Sequence, residues 1–268
     1  MRLTCQENLV PGDTLLEKWE LLAAAGWDGI ELHGRGNGGF RARAAELREA
    51  HEAGVPMPTV CVIADRFIGD FSAERRAEAM TTMKDLLTGI AEVGGVGAIT
   101  PASYGMFSRS LPPYTPPRSA EEDREILLAA LTELGEHAAR EGVCVLLEPL
   151  NRYEDHMLNT VAQAVDLADA VGLDSVKVMA DLYHMNIEEA DSPAALRAAG
   201  PRLAHVHLSD SNRYEPFAGH VDWDAVVTAL DDIGYDGDLA YEGRLSAPAE
   251  QVLPEVARRM RALAPLAA

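Results

Sequence analysis

Residues Cys144 to Glu154 read CVLLEPLNRYE, a run of apolar β-formers that ends on the carboxylate Glu148 and is stopped at once by Pro149. A buried strand with that ending delivers an acid to its own C-terminal tip. A charge placed there is costly to desolvate unless a cation or a partner compensates it. Three later apolar runs end the same way: VKVMAD on Asp181, LAHVH on His207 and DLAYE on Glu242. Four potential ligands, one from each of four successive strands, therefore converge on a site.

Outward from this stretch the chain alternates strand and helix. Gly26, Gly54, Gly94, Gly142, Gly172, Gly200 and Gly234 each stand between a helical pattern and an apolar run, as a left-handed residue just past a helix end does. Thr14-x-x-Glu17 is a capping box ahead of Leu15, Leu16, Trp19 and Leu22 at helical spacing. Strands are predicted near residues 3, 30, 60, 99, 146, 179, 206 and 240, with a closing helix from Pro254 to Leu263. Eight such units imply a single (β/α)₈ TIM barrel over residues 1–268, with the active site at the C-terminal mouth of the strands. An open doubly wound sheet is the weaker rival, because no GxGxxG follows the first strand. The longest irregular stretch, Ser108 to Ser119, reads as a loop over a pocket.

Composition limits the partners. The 268 residues are 47% hydrophobic and 25% charged, which supplies a large core, and the formal net charge of −20 repels nucleic acid and anionic membrane. Neither a signal-peptide pattern nor a membrane span stands out, so a cytoplasmic protein is expected. Cys5, Cys61 and Cys144 are odd in number and lie inside strand-like runs, which predicts reduced, buried thiols.

Side-chain parity supports the site. Glu148 shares a strand face with Leu146 and Cys144, His207 with His205, and Glu242 with Ala240 and Asp238. A single acid after a strand most often caps the next helix. Four at corresponding positions of consecutive units are harder to read that way. His205, one layer deeper, is expected to be a hydrogen-bonded core histidine, and Glu31 and His33 to lie after the second strand, at the mouth or in a solvated loop.

Four motifs resemble the sugar isomerase and epimerase branch of the xylose-isomerase-like barrels, most of all the ketose 3-epimerases. They are Glu148-Pro149-Leu150-Asn151-Arg152-Tyr153-Glu154, Asp181-Leu182-Tyr183-His184, His205-Val206-His207 with Arg213, and Gly219-His220-Val221-Asp222-Trp223. The resemblance implies that Glu148, Asp181, His207 and Glu242 hold one divalent metal, that Glu154, His184 and Arg213 contact a sugar's oxygens, and that the protein forms a homodimer or homotetramer. It departs from the family after the first strand, where such 3-epimerases carry an aromatic residue and this chain reads Cys5-Gln6-Glu7-Asn8.

Three carboxylates and an imidazole make a mostly hard site suited to Mn²⁺, with Mg²⁺ or Co²⁺ as alternatives. A ketose chelated there has an acidified α C–H, because enediolate charge develops beside the cation. Glu148 and Glu242, from opposite sides of the ring of strands, are then placed to remove and return a proton, which gives epimerisation of a ketose at C3. A single base gives aldose–ketose or hydroxypyruvate-type isomerisation, and a leaving group at the right carbon gives elimination from a 3-keto-glycoside. The rivals from other classes are a metal-dependent endonuclease, which the net charge opposes, and a non-catalytic sugar-binding barrel, which has no use for two opposed acids.

Overall fold

The computed structural model describes residues 1–263. Its apolar β-forming runs make eight parallel strands: β1 (Arg2–Gln6), β2 (Gly29–Arg35), β3 (Thr59–Ile63), β4 (Gly97–Pro101), β5 (Cys144–Glu148), β6 (Val176–Asp181), β7 (Leu203–Leu208) and β8 (Asp238–Tyr241). Each pairs with the next and β8 pairs with β1, so the sheet closes on itself as a (β/α)₈ barrel. The helices are α1 (Leu15–Ala24), α2 (Ala44–Glu52), α3 (Ala73–Glu92), α4 (Ala120–Glu141), α5 (Val161–Val171), α6 (Leu182–Glu188), α7 (Ser192–Ala199), α8 (Trp223–Asp232) and α9 (Ala249–Leu263). Residues 264–268 of the expected single domain lie outside the described residues.

Local chemistry accounts for the helix ends. Thr14 and Glu17 form the expected capping box, and all seven of the glycines read as helix stops have positive φ. Two boundaries differ from the sequence reading. Helix α9 starts at Ala249, ahead of Pro254, because that proline sits in the second turn and forfeits only one helical bond. The apolar face of Val252, Leu253, Val256, Ala257 and Met260 continues through it. Strand β6 is followed by two helices, since Asp181 caps a short α6 of its own before α7 begins.

The barrel carries two separate apolar cores. The large one lies between strands and helices, and includes Leu3, Ile30, Leu86, Leu131, Leu147 and Leu253. The small one is inside the barrel and consists of Cys61, Ile99, Leu146 and Met179, from β3 to β6. Elsewhere the interior is polar: Thr4, Gln6, Glu31, Thr59, His205, His207 and Asp238 are all buried. Buried polar groups need partners, and those partners are what the barrel places beneath its mouth. A register shift between Val178 and Met179 in β6 brings Asp181 level with His207 on β7, an example of an irregularity that re-aims a side chain beside a site. The cysteines are unpaired, with Cys5 and Cys61 buried and Cys144 half-buried. No helix among the described residues is long and apolar enough to cross a membrane.

Candidate metal and active site

Glu148 ends β5, Asp181 ends β6, His207 is the penultimate residue of β7, and Glu242 follows β8 directly. One ligand atom from each lies within 4.8 Å of every other. His207 faces the group with Nδ1, which is 2.8 Å from Glu242 Oε2 and 3.8 Å from both Glu148 Oε1 and Asp181 Oδ2. That nitrogen is buried and in no hydrogen bond of acceptable geometry. Three ionised carboxylates with one guanidinium, that of Arg213, leave two negative charges, which one divalent cation would balance. The residues present therefore fit a metal ion.

Asp181 does two things at once. Its Oδ1 accepts from the backbone N–H groups of Tyr183 and His184 at 2.7 and 3.4 Å, and its Oδ2 faces the site, where it meets Arg213. The helix-cap reading of this residue is realised, and the same side chain stands in the cluster that could hold a metal. Arg213 reaches Asp181 Oδ2 at 2.6 Å and Glu242 Oε2 at 2.9 Å, with its guanidinium 4.7 Å from the centre of the Tyr183 ring. Its backbone is left-handed, φ 64°, a conformation rare outside glycine that is held here by its loop. That loop is pinned by Asp210, whose carboxylate accepts from Ser211 N, Phe217 N, Val221 N and Trp223 Nε1. A side chain at Gly219 would place its Cβ 2.2 Å from Asp210 Oδ1, so the loop closes only with glycine there.

Electrostatics separates the two glutamates. Burial, with the like charges of Glu242 and Asp181, pushes the Glu148 carboxyl well above the usual carboxylate range against the pull of His207. Burial also opposes ionisation of Glu242, but Arg213 and His207 outweigh it and hold its carboxyl down. Asp181 is likewise held well below its usual range, with Arg213, His184 and His207 overcoming burial.

Glu154 and His184 flank this group. The backbone N–H of Asn151 donates to His184 Nδ1 at 3.1 Å, which assigns the ring proton to Nε2, 3.8 Å from Asp181 Oδ2. Burial lowers the His184 pKa despite Asp181, so the ring is a neutral N–H donor whose Nε2 lies on the Asp181 side of the cluster. Glu154 Oε2 is 3.8 Å from His184 Nδ1, on a side chain one-third exposed. The expected site residues are thus one contiguous group. Glu31 lies elsewhere than the sequence suggested: it is inside β2, completely buried, with its carboxylate 2.8 Å from Nε2 of both His205 and His207. The signal for it was present as an acid flanked by Ile30 and Leu32 in an apolar strand. His33, the last of the mouth candidates, is partly buried beside Gln6.

A closed barrel with such a site at its mouth is shared by a known class, and residues 19–263 match the model of the xylose isomerase-like TIM barrel family. The chain belongs to that family. It is 40% identical over 248 residues to the 3-dehydro-D-guloside 4-epimerase of Escherichia coli (strain K12), covering 92% of this chain and 94% of that one. A D-psicose 3-epimerase of Enterocloster bolteae is 38% identical over 173 residues, 65% of this chain and 56% of its own. Among solved structures, the apo 3-keto-D-glucoside 4-epimerase of E. coli superposes with a TM-score of 0.91 at 38% identity, covering 98% of this chain and 99% of that one.

Proposed function

We propose that this chain is a divalent-metal-dependent epimerase that inverts the carbon beside a ketone in a sugar. The observation that carries the reading is the meeting of Glu148 and Glu242, from β5 and from the end of β8, in one cluster with Asp181 and His207. These four residues would hold the cation, with His207 contributing Nδ1, and Mn²⁺ is the first choice ahead of Mg²⁺ or Co²⁺ for three carboxylates and one imidazole. When bound, a divalent cation stabilises the enediolate charge and so acidifies the α C–H.

The chain's own groups supply the rest. Glu148 and Glu242 take a proton from one face of that carbon and return one to the other. His184 donates its Nε2–H to a sugar oxygen, Glu154 accepts from a hydroxyl, and Arg213 offsets negative charge on the oxygens that develop it. Inversion at C3 of a ketose and at C4 of a 3-keto-glycoside are the same chemistry, since each centre adjoins the ketone. The 40% identity to a 4-epimerase over 92% of this chain supports the keto-glycoside as the first substrate to test. The sequence after β1, Cys5-Gln6-Glu7-Asn8, which departs from the aromatic of the 3-epimerases, supports the same order. Net charge −20 favours a neutral sugar over a phosphorylated one.

Residues 1–268 are read as one cytoplasmic domain that associates into a homodimer or homotetramer. The test is metal analysis of the purified protein, followed by incubation with Mn²⁺ and a panel of 3-keto-glycosides, free ketoses and sugar phosphates, with products identified by NMR. Inversion beside the ketone is expected. Isomerised or eliminated products, or no turnover of any panel member, would overturn the assignment.

A further inference from the structure

Beneath the four-residue cluster lies a second buried group that the function above does not use. The two oxygens of Glu31 are met by different partners. Gln6 Nε2 donates to Oε1 at 3.0 Å, where His207 Nε2 also approaches to 2.8 Å. Thr59 Oγ1 donates to Oε2 at 2.7 Å, where His205 Nε2 approaches to 2.8 Å. All of these residues are buried in the barrel interior, and Glu31, His205 and His207 have no solvent exposure at all. An imidazole nitrogen and a carboxylate oxygen 2.8 Å apart repel unless a proton lies between them, so each ring presents Nε2–H to Glu31, off the ideal hydrogen-bond line. A ring that gives its Nε2–H to Glu31 turns Nδ1 to the opposite side, and the proton that the 2.8 Å contact of Nδ1 with Glu242 Oε2 calls for is the one a divalent cation would displace. Nδ1 of His207 is the atom that faces Glu148, Asp181 and Glu242.

We propose that Glu31 is a positioning residue that fixes the ring angle and tautomer of His207 so that Nδ1 stands ready as a metal ligand, with Gln6, Thr59 and His205 holding the carboxylate in place. The proposal rests on the metal reading above. A carboxylate in this position also raises the basicity of the ligating nitrogen, as outer-shell acids do behind metal-bound histidines. Glu31, His205 and His207 are close enough to form a cation site of their own. The pairing argues otherwise, because the two imidazoles meet different oxygens and each oxygen already accepts a bond from Gln6 or Thr59.

The test is Mn²⁺ titration by calorimetry of the chelator-stripped full-length protein, as wild type, Glu31→Gln and Thr59→Val, with circular dichroism to establish folding. A glutamine at 31 has one acceptor oxygen and an NH₂ group, so one of the two imidazoles must present a bare Nε2. The wild type is expected to bind one Mn²⁺ per chain. Glu31→Gln should bind it about 10–100-fold more weakly, the usual cost of losing such a partner. Excess Mn²⁺ should restore part of kcat in that variant, with KM for the sugar little changed, which a merely structural role would not produce. Thr59→Val, which removes one of the four partners, should weaken Mn²⁺ in the same direction by a smaller factor.

Wild-type Mn²⁺ affinity in folded Glu31→Gln overturns the proposal, as does a second Mn²⁺ per chain lost on that substitution. Should Glu31→Gln not fold, unchanged affinity in Thr59→Val overturns it. A wild type that binds no Mn²⁺ removes the metal reading itself, a result distinct from variants that bind as tightly as a Mn²⁺-binding wild type.

Discussion

Asp210 is the most informative residue to perturb, because one buried carboxylate carries the whole loop that presents Arg213. Its Oδ1 accepts from Ser211 N at 2.7 Å and Val221 N at 3.1 Å, and its Oδ2 from Phe217 N at 2.8 Å and Trp223 Nε1 at 3.0 Å. Asp210→Asn replaces one oxygen by an NH₂ group, so two of these donors then face a donor. A buried donor left unmet costs about 1–3 kcal/mol. Two of them give about 2–6 kcal/mol, and water reaching the exposed side of the loop brings the expectation to about 3 kcal/mol. For a chain of this length that corresponds to a fall in Tm of about 6–12 °C. Arg213 lies between the Ser211 and Phe217 N–H groups that this carboxylate holds, so loosening them shifts its left-handed turn and kcat/KM should fall as well. Urea denaturation followed by circular dichroism, with kcat/KM measured in parallel, reads both effects. A variant within about 0.5 kcal/mol of wild type, the range of an ordinary surface change, would refute the assignment of Asp210 as the loop's anchor.

Chelation should lower Tm, since a cation bound only to the native state stabilises it by about 2.7 kcal/mol at a hundred times its Kd; melts with and without EDTA check this, and identical midpoints would count against the metal centre. Asp155, completely buried beside Ser103, has its pKa pushed up to about 6 by burial against the hydrogen bonds it accepts. A carboxyl raised in this way contributes stability that is fully present below its unfolded pKa of about 3.9 and is lost as pH rises through about 6, an effect of about 3 kcal/mol. Asp155→Asn should therefore gain on wild type between pH 4 and 7 in parallel melts, and a gap independent of pH would contradict the shift. Gly34→Ala places a Cβ 2.6 Å from Leu86 Cδ2 and 2.8 Å from Val60 Cγ2 in the outer core, and should cost about 1–3 kcal/mol by denaturant titration; a neutral change would show that α3 yields.

The architecture was legible because its signals are local. A left-handed glycine past a helix, a capping box and a short apolar run each act over a few residues, and seven repeats of the same punctuation determined the strand count. Glu148, Asp181, His207 and Glu242 were legible because each stands at or beside the C-terminal end of an apolar strand, where an acid or imidazole has no packing purpose. Glu31 was harder to place, since its role depends on which strands adjoin: β2 pairs with β1 at Gln6–Glu31, and the two histidines come from across the barrel on β7. The engagement of Arg213 with Asp181 and Glu242 was hidden for the same reason, because it depends on a left-handed turn pinned by Asp210 at the base of the loop. The short α6 directly after β6 went unread because its cap, Asp181, also ends the strand at the site, and a residue with two roles signals only one of them in sequence.

The most direct test of the account follows hydrogen exchange in D₂O by NMR, using a Mn²⁺-loaded wild type, Glu148→Gln and Glu242→Gln with a 3-keto-glucoside. Wild type is expected to invert C4 and incorporate deuterium there. Each variant should lose inversion by about 10²-fold or more, while the surviving glutamate still exchanges the α-hydrogen of the epimer that presents it to that side. Inversion at the wild-type rate by both variants, with metal bound, would contradict proton transfer by this pair and leave the two glutamates as ligands alone.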